Sequence, residues 1–118
     1  MKIKTSELTG AALDWAVAQA EGFAWYIEVK PTAYGPKPFV FEEHGEVSCK
    51  FQPSTNWSHG GPIIERERIQ LARVEDVWEA WVDADGVFCQ GTTPLIAAMR
   101  CYVASKLGAE VDVPEELT

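Results

Sequence analysis

The chain has 118 residues, 47% of them apolar and 24% charged, with 18 Asp and Glu against 10 Lys and Arg for a formal net charge of -8. This composition excludes a disordered chain and is too short for two full cores, so one domain over 1–118 is expected. An acidic balance also argues against nucleic acid as a partner, because phosphate neutralisation needs a basic surface, leaving at most a local basic pocket built from Arg66, Arg68 or Arg73.

Three cysteines, Cys49, Cys89 and Cys101, form no close pair, which fits a reducing compartment rather than a disulfide framework. The stretch 1–7 lacks the apolar run of a secretion signal, and no segment approaches bilayer-spanning length. A cytoplasmic protein without membrane contact is therefore expected, in a bacterial host cell once the resemblance below is added.

The first periodic segment covers about 9–21. Leu8, Ala12, Trp15 and Ala16 recur at helical spacing beside Leu13, Val17 and Ala20. Ser6 or Thr9 supplies a cap, and Gly22 suits a left-handed end. The branched and aromatic run 23–30 reads as a strand. Pro31, Gly35, Pro36 and Pro38 then predict a loop over 30–37 with Tyr34 at its tip, followed by a short extended piece at 39–41. Alternation over 46–51 predicts a half-buried strand.

The segment 54–62, Ser-Thr-Asn-Trp-Ser-His-Gly-Gly-Pro, reads as a polar loop with one large aromatic in its middle. Its glycines allow the backbone to approach a ligand or another part of the fold. The stretch 63–74 is expected to be extended, with Glu65 to Arg68 facing water and a short helix at 74–76 as the alternative. A hairpin over 77–90 is clearer, turning at Asp85-Gly86. In it Trp78, Ala80, Val82 and Ala84 face one side, shared with Val87 and Cys89, and Trp81 flanks Phe88 on the other.

Thr93-Pro94 pairs a capping hydroxyl with a first-turn proline and opens the last helix. Leu95, Ile96, Met99, Tyr102, Val103 and Leu107 give it a broad apolar surface, so it is expected to be the most buried helix, ending at Gly108. The acidic tail 110–118 carries Val111, Val113 and Leu117 as anchors. Together these elements predict an α+β fold, a small antiparallel sheet with two main helices packed on one face.

No catalytic set emerges. His44 lies in a Glu42-Glu43-His44-Gly45 turn, and adjacent Ser58 and His59 on an extended chain point apart. A metal site is not expected either: Asp83-Ala84-Asp85-Gly86 starts like a calcium loop, but Val87 and Cys89 sit where oxygen ligands are needed. No cofactor is implied.

A binding site is the more promising reading. Trp57 either plugs the end of the core or stacks on a planar group, with Asn56, Ser58 and His59 hydrogen bonding and the Gly60 and Gly61 amides meeting an anion. Thr92 and Thr93 stand at a helix start, which either caps that helix or holds an anionic group. Trp81 beside Phe88 forms an exposed aromatic patch, the mark of a homo-oligomer or partner surface.

Several stretches also resemble one family. They are Lys4-Thr5-Ser6-Glu7-Leu8-Thr9-Gly10-Ala11-Ala12-Leu13-Asp14-Trp15-Ala16-Val17-Ala18, Pro53-Ser54-Thr55-Asn56-Trp57, Gly60-Gly61-Pro62-Ile63-Ile64-Glu65, and Gly91 with Thr93-Pro94-Leu95-Ile96-Ala97-Ala98-Met99-Arg100. They are similar to the NinX-like proteins of tailed phages and prophages, a family of unknown function, over nearly the whole chain. The resemblance implies a phage accessory protein in a bacterial cytoplasm. Such proteins neutralise host defences by blocking a host protein or by sequestering a nucleotide-like immune signal. The expectation is thus a non-enzymatic binder of a small polar or nucleotide-like ligand; the alternatives are a protein-binding inhibitor of a host factor and a small hydrolase.

Overall fold

A computed structural model describes every residue except 23–26, 42–47 and 84–85. The first part of the expected 23–30 strand, the turn holding His44, the start of the 46–51 strand and the Ala84-Asp85 part of the hairpin turn lie outside the described residues.

The chain begins with β1 (Lys2–Lys4), a 3-10 turn at Thr5–Glu7 and helix α1 (Gly10–Ala20). Leu13, Asp14, Ala16, Val17 and Ala18 of α1 are all buried, which its small residues permit by letting neighbours approach closely. Gly22 follows with a positive φ of 83°, as a left-handed helix end requires.

Strands β2 (Ile27–Thr32) and β3 (Gly35–Phe41) form a hairpin, and β4 (Ser48–Lys50) adds to β3. The expected loop over 30–37 is therefore much shorter. Pro31 pairs opposite Pro36, so both missing N–H groups fall at one site of the ladder, where strand geometry tolerates them. Thr32 Oγ1 closes the turn by donating to Gly35 O at 2.6 Å, and Tyr34 stands exposed at the tip.

The largest departure from expectation is α2 (Trp57–Glu67), which takes in most of the polar segment and the start of the stretch expected to be extended. Asn56 caps it, Oδ1 accepting from Ser58 N at 2.8 Å. Gly60 and Ile63 are its buried positions, three residues apart on one face. Gly60 is needed because a Cβ there would lie 2.6 Å from Pro53 O and 2.7 Å from Leu95 Cδ2. The close approach is to another part of the fold.

Arg68, left-handed at φ 55°, ends α2 and directs the chain into β5 (Gln70–Val74). Strands β6 (Val77–Val82) and β7 (Val87–Gly91) complete a three-stranded antiparallel sheet. The segment 74–76 is the tight turn between β5 and β6, not a helix. Ala80 is fully buried, with Trp78, Val82, Val87 and Cys89 packed on the core, while Trp81 pairs opposite Phe88 on the other face. The hairpin's two faces are those the alternation predicts.

Helix α3 (Pro94–Leu107) buries Leu95, Ala97, Ala98, Met99, Cys101, Tyr102 and Val103. It packs on β5, β6 and β7 and also contacts α1 and α2. Strand β8 (Glu110–Asp112) pairs with β1, joining the chain ends, and Val111, Val113 and Leu117 anchor the tail as expected. The fold is α+β. Among the described residues its strands form three small antiparallel sheets rather than one, and three helices rather than two.

Candidate functional site

The polar segment and the start of α3 meet at a cavity of about 250 Å³ lined by Ser54, Thr55, Trp57, Thr93, Pro94, Leu95 and Ile96. Two helix N-termini converge there because Gly60 lets α2 press onto Leu95. Trp57 is 54% exposed, so its indole is a wall of the cavity and not a plug of the core.

Most donors at these helix starts already have partners. Thr93 Oγ1 accepts from Ile96 N at 3.1 Å, Thr93 O accepts from Ala97 N at 3.0 Å, and Pro94 has no N–H. On α2, Asn56 Oδ1 takes Ser58 N, and Asn56 O takes the His59 and Gly60 N–H groups. Among the described residues this leaves Trp57 N and Leu95 N of the backbone, with the Thr93 hydroxyl proton, the Thr55 hydroxyl, the Trp57 indole N–H and the unbonded Ser54 Oγ, to address a ligand.

The expected site residues thus separate. Trp57 and Thr93 line one cavity, and Asn56 shapes it as the α2 cap. Ser58 is exposed on α2 and Thr92 is exposed before α3, and neither lines the cavity. His59 is turned elsewhere: Nδ1 accepts from Gln52 N at 3.0 Å, and the ring stacks on Phe51 with centroids 5.6 Å apart. Gly60 is buried against Pro53 and Leu95, while Gly61 lies inside α2 with the Trp57 ring 3.9 Å from its would-be Cβ. Gly60 serves helix packing, and its amide is already bonded.

Sequence reasoning missed Asp14. Only 4% exposed, it accepts from Ser54 N through Oδ1 at 2.8 Å and so ties α1 to the cavity's floor. Burial pushes its carboxyl up to about 6, against the opposing pull of Ser54 and of Lys37. Ser54 is equally buried; its Oγ has no hydrogen-bond partner of normal geometry, and its nearness to Asp14 works against the effect of burial. The available signal was a lone carboxylate inside the apolar helix pattern of 10–20.

Of the local basic pocket suggested by Arg66, Arg68 and Arg73, only Arg68 stands open, in a depression it shares with Glu67 and Asp83. Arg66 pairs with Glu21 at 3.0 Å and Glu67 at 2.9 Å and lies over the Tyr102 ring, while Arg73 Nε donates to Glu75 O. Among the described residues no helix is long and apolar enough to cross a membrane.

The family model described as Bacteriophage P22, NinX matches residues 4–106, which include both walls of the cavity. The chain belongs to this phage protein family, whose function is unknown, and is a phage accessory protein. No curated protein matches the chain.

Proposed function

We propose that this phage protein is a non-enzymatic binder of a small polar, nucleotide-like ligand in the host cytoplasm, acting by sequestration of a host immune signal. The observation that carries the reading is the exposed Trp57 wall set across one cavity from the Thr93 start of α3. Pro94, Leu95 and Ile96 give the opposite side a carbon-rich surface, so a flat ring is the part of a ligand that fits between. The Leu95 N–H and the Thr93 hydroxyl offer polar contacts at its edge. With about 250 Å³, the cavity falls below the range of roughly 300–1,000 Å³ that encloses a whole drug-sized ligand. One ring enters and the rest of the ligand stays outside.

Calorimetric titration with nucleosides and nucleoside monophosphates tests this. Stacking of a base on an aromatic side chain contributes about 1–3 kcal/mol, so Trp57→Ala should weaken binding by about 5- to 150-fold. Its exposed position predicts an unchanged melting temperature. Equal affinity in the variant sinks the reading.

A second reading rests on Phe88, 54% exposed and paired with Trp81 on the outer face of the β5–β6–β7 sheet. This patch suits a second copy or a host protein. Sedimentation velocity of the wild type and of Trp81→Ala, alone and with host lysate fractions, separates it from the ligand-binding reading.

A further inference from the structure

Arg100 is set apart by where its guanidinium is held, between two backbone carbonyls of distant segments. It is half-buried on α3, where Nε donates to Leu8 O at 2.7 Å and an Nη donates to Gln90 O at 2.9 Å. Among the described residues no carboxylate pairs with it, although the chain carries 18 acids against 10 bases. Arg66 and Lys106, by contrast, are both held by Glu67. The two backbone carbonyls fix the guanidinium's orientation and leave its other donors uncommitted.

The guanidinium borders a depression of about 380 Å³ lined by Ser6, Phe88, Cys89 and Gln90. A second depression of about 210 Å³ shares Ser6, Phe88 and Cys89 and continues onto Val87, Ala104, Ala109 and Thr5, whose hydroxyl is committed to Gly108 O. One end is therefore cationic and polar, and the other is apolar with an exposed aromatic ring at the join. Among the described residues nothing around Arg100 neutralises it: burial pushes the Cys89 thiol up, so it stays uncharged near neutral pH, and burial pulls Arg100 itself down.

We infer that this double depression is an anion-binding site for a small molecule carrying a phosphate or carboxylate next to an apolar ring. The anion takes the open donors of Arg100, in the planar fork geometry that guanidinium presents to such groups, and the ring lies against Phe88 and Ala104. A half-buried cation without a counterion is electrostatically costly, and a bound anion relieves that cost. The size of the depression and the net charge of -8 favour a small molecule over a polyanion. The site is separate from the Trp57 cavity and does not depend on what that cavity binds.

The test uses the full chain, labelled with ¹⁵N, titrated with phenyl phosphate, benzoate and inorganic phosphate by NMR. Shifts should cluster at the Arg100 Nε–H and at Ser6, Phe88 and Cys89. Arg100→Lys keeps the charge but loses the fork and should weaken phenyl phosphate at least about tenfold. Because Arg100 also holds two carbonyls, Phe88→Ala is the second variant: its exposed ring can go without unfolding. It should weaken phenyl phosphate about fivefold and leave inorganic phosphate unchanged. The preferred anion, phosphate or carboxylate, reports the ligand's chemistry. Shifts centred on 93–96, or binding indifferent to both substitutions, overturn the inference. Trp57→Ala should not alter this titration, so failure of either site is distinguishable from failure of the other.

Discussion

Beneath the Trp57 cavity the buried charge belongs to Asp14, and in the depression beside β7 it belongs to Arg100. Both groups meet backbone, Asp14 accepting from Ser54 N and Arg100 donating to the carbonyls of Leu8 and Gln90. They differ in how the charge is relieved. A carboxyl can take up a proton, and Asp14, with its pKa at about 6, is already close to doing so. A guanidinium keeps its proton at any physiological pH. Asp14 therefore needs no outside partner and serves to position the cavity floor, whereas Arg100 has, among the described residues, two backbone carbonyls and no carboxylate beside it.

The largest expected effect sharpens the Asp14 half of this comparison. Its folded-state pKa is raised above the ordinary carboxyl value, so the folded chain holds the proton more tightly than the unfolded one. The group's contribution to stability is then most favourable below about pH 4. It declines as pH rises from there to about 6, by an amount on the order of 3 kcal/mol. Asp14→Asn keeps an oxygen to accept from Ser54 N and removes the buried charge. Urea unfolding should find the variant more stable than wild type at pH 7.5 by up to that amount, and the two nearly equal at pH 4. A less stable variant at pH 7.5 would mean that the ionised carboxylate is itself needed, and the contrast with Arg100 would fail.

A second substitution breaks the cavity while sparing the Arg100 depression. A Cβ on Gly60 meets Pro53 O at 2.6 Å, and a backbone carbonyl cannot swing aside as a side chain does. Gly60→Ala should destabilise by about 1–3 kcal/mol even though alanine favours helix, because the overlap outweighs the propensity gain. Gly61→Ala is the control. Outside its chain neighbours its Cβ would find only the Trp57 ring at 3.9 Å, and the helix-propensity gain of up to about 1 kcal/mol is opposed by the ring of Pro62, so the net change should stay within about 1 kcal/mol. Chemical denaturation of the pair separates close packing from helix propensity.

These two glycines also explain what was legible in the sequence. Helix α3 carries its period and cap in the local sequence, α1 its period and the β6–β7 hairpin its alternation, and each forms near its expected limits, although Thr9 starts α1 without a side-chain cap hydrogen bond. Helix α2 does not advertise itself. Gly60, Gly61 and Pro62 are poor helix formers, and only Ile63 and Ile64 hint at an apolar face. Its formation depends on the Asn56 cap and on contact with Leu95, a residue far away in the chain. The same holds for the candidate site. Trp57 and Thr93 stand out as residue types, but Leu95, Ile96, Asp14 and Arg100 gain their meaning only from neighbours that the fold brings together. His59 drew attention for its chemistry and is engaged in holding Gln52 and Phe51.

The smallest of these effects tests how much the cavity owes to its helix start. Thr93→Ala removes the bond to Ile96 N, and loss of such a cap costs about 1 kcal/mol, with Pro94 still favouring the first turn. The freed Ile96 N–H then joins Leu95 N at the rim of the cavity. If the cavity holds the neutral ring of its ligand, nucleoside affinity should fall a few-fold through loss of the hydroxyl, and a 5′-phosphate should make no difference to that fall. If it holds the anion instead, the extra N–H should compensate, and the monophosphate should bind at least as tightly as to wild type. Phenyl phosphate binding at Arg100 should be unchanged in the same variant. The first outcome keeps the anionic part of the nucleotide-like ligand outside the Trp57 cavity; the second would place it at the α3 N-terminus, and neither touches the separate depression at Arg100.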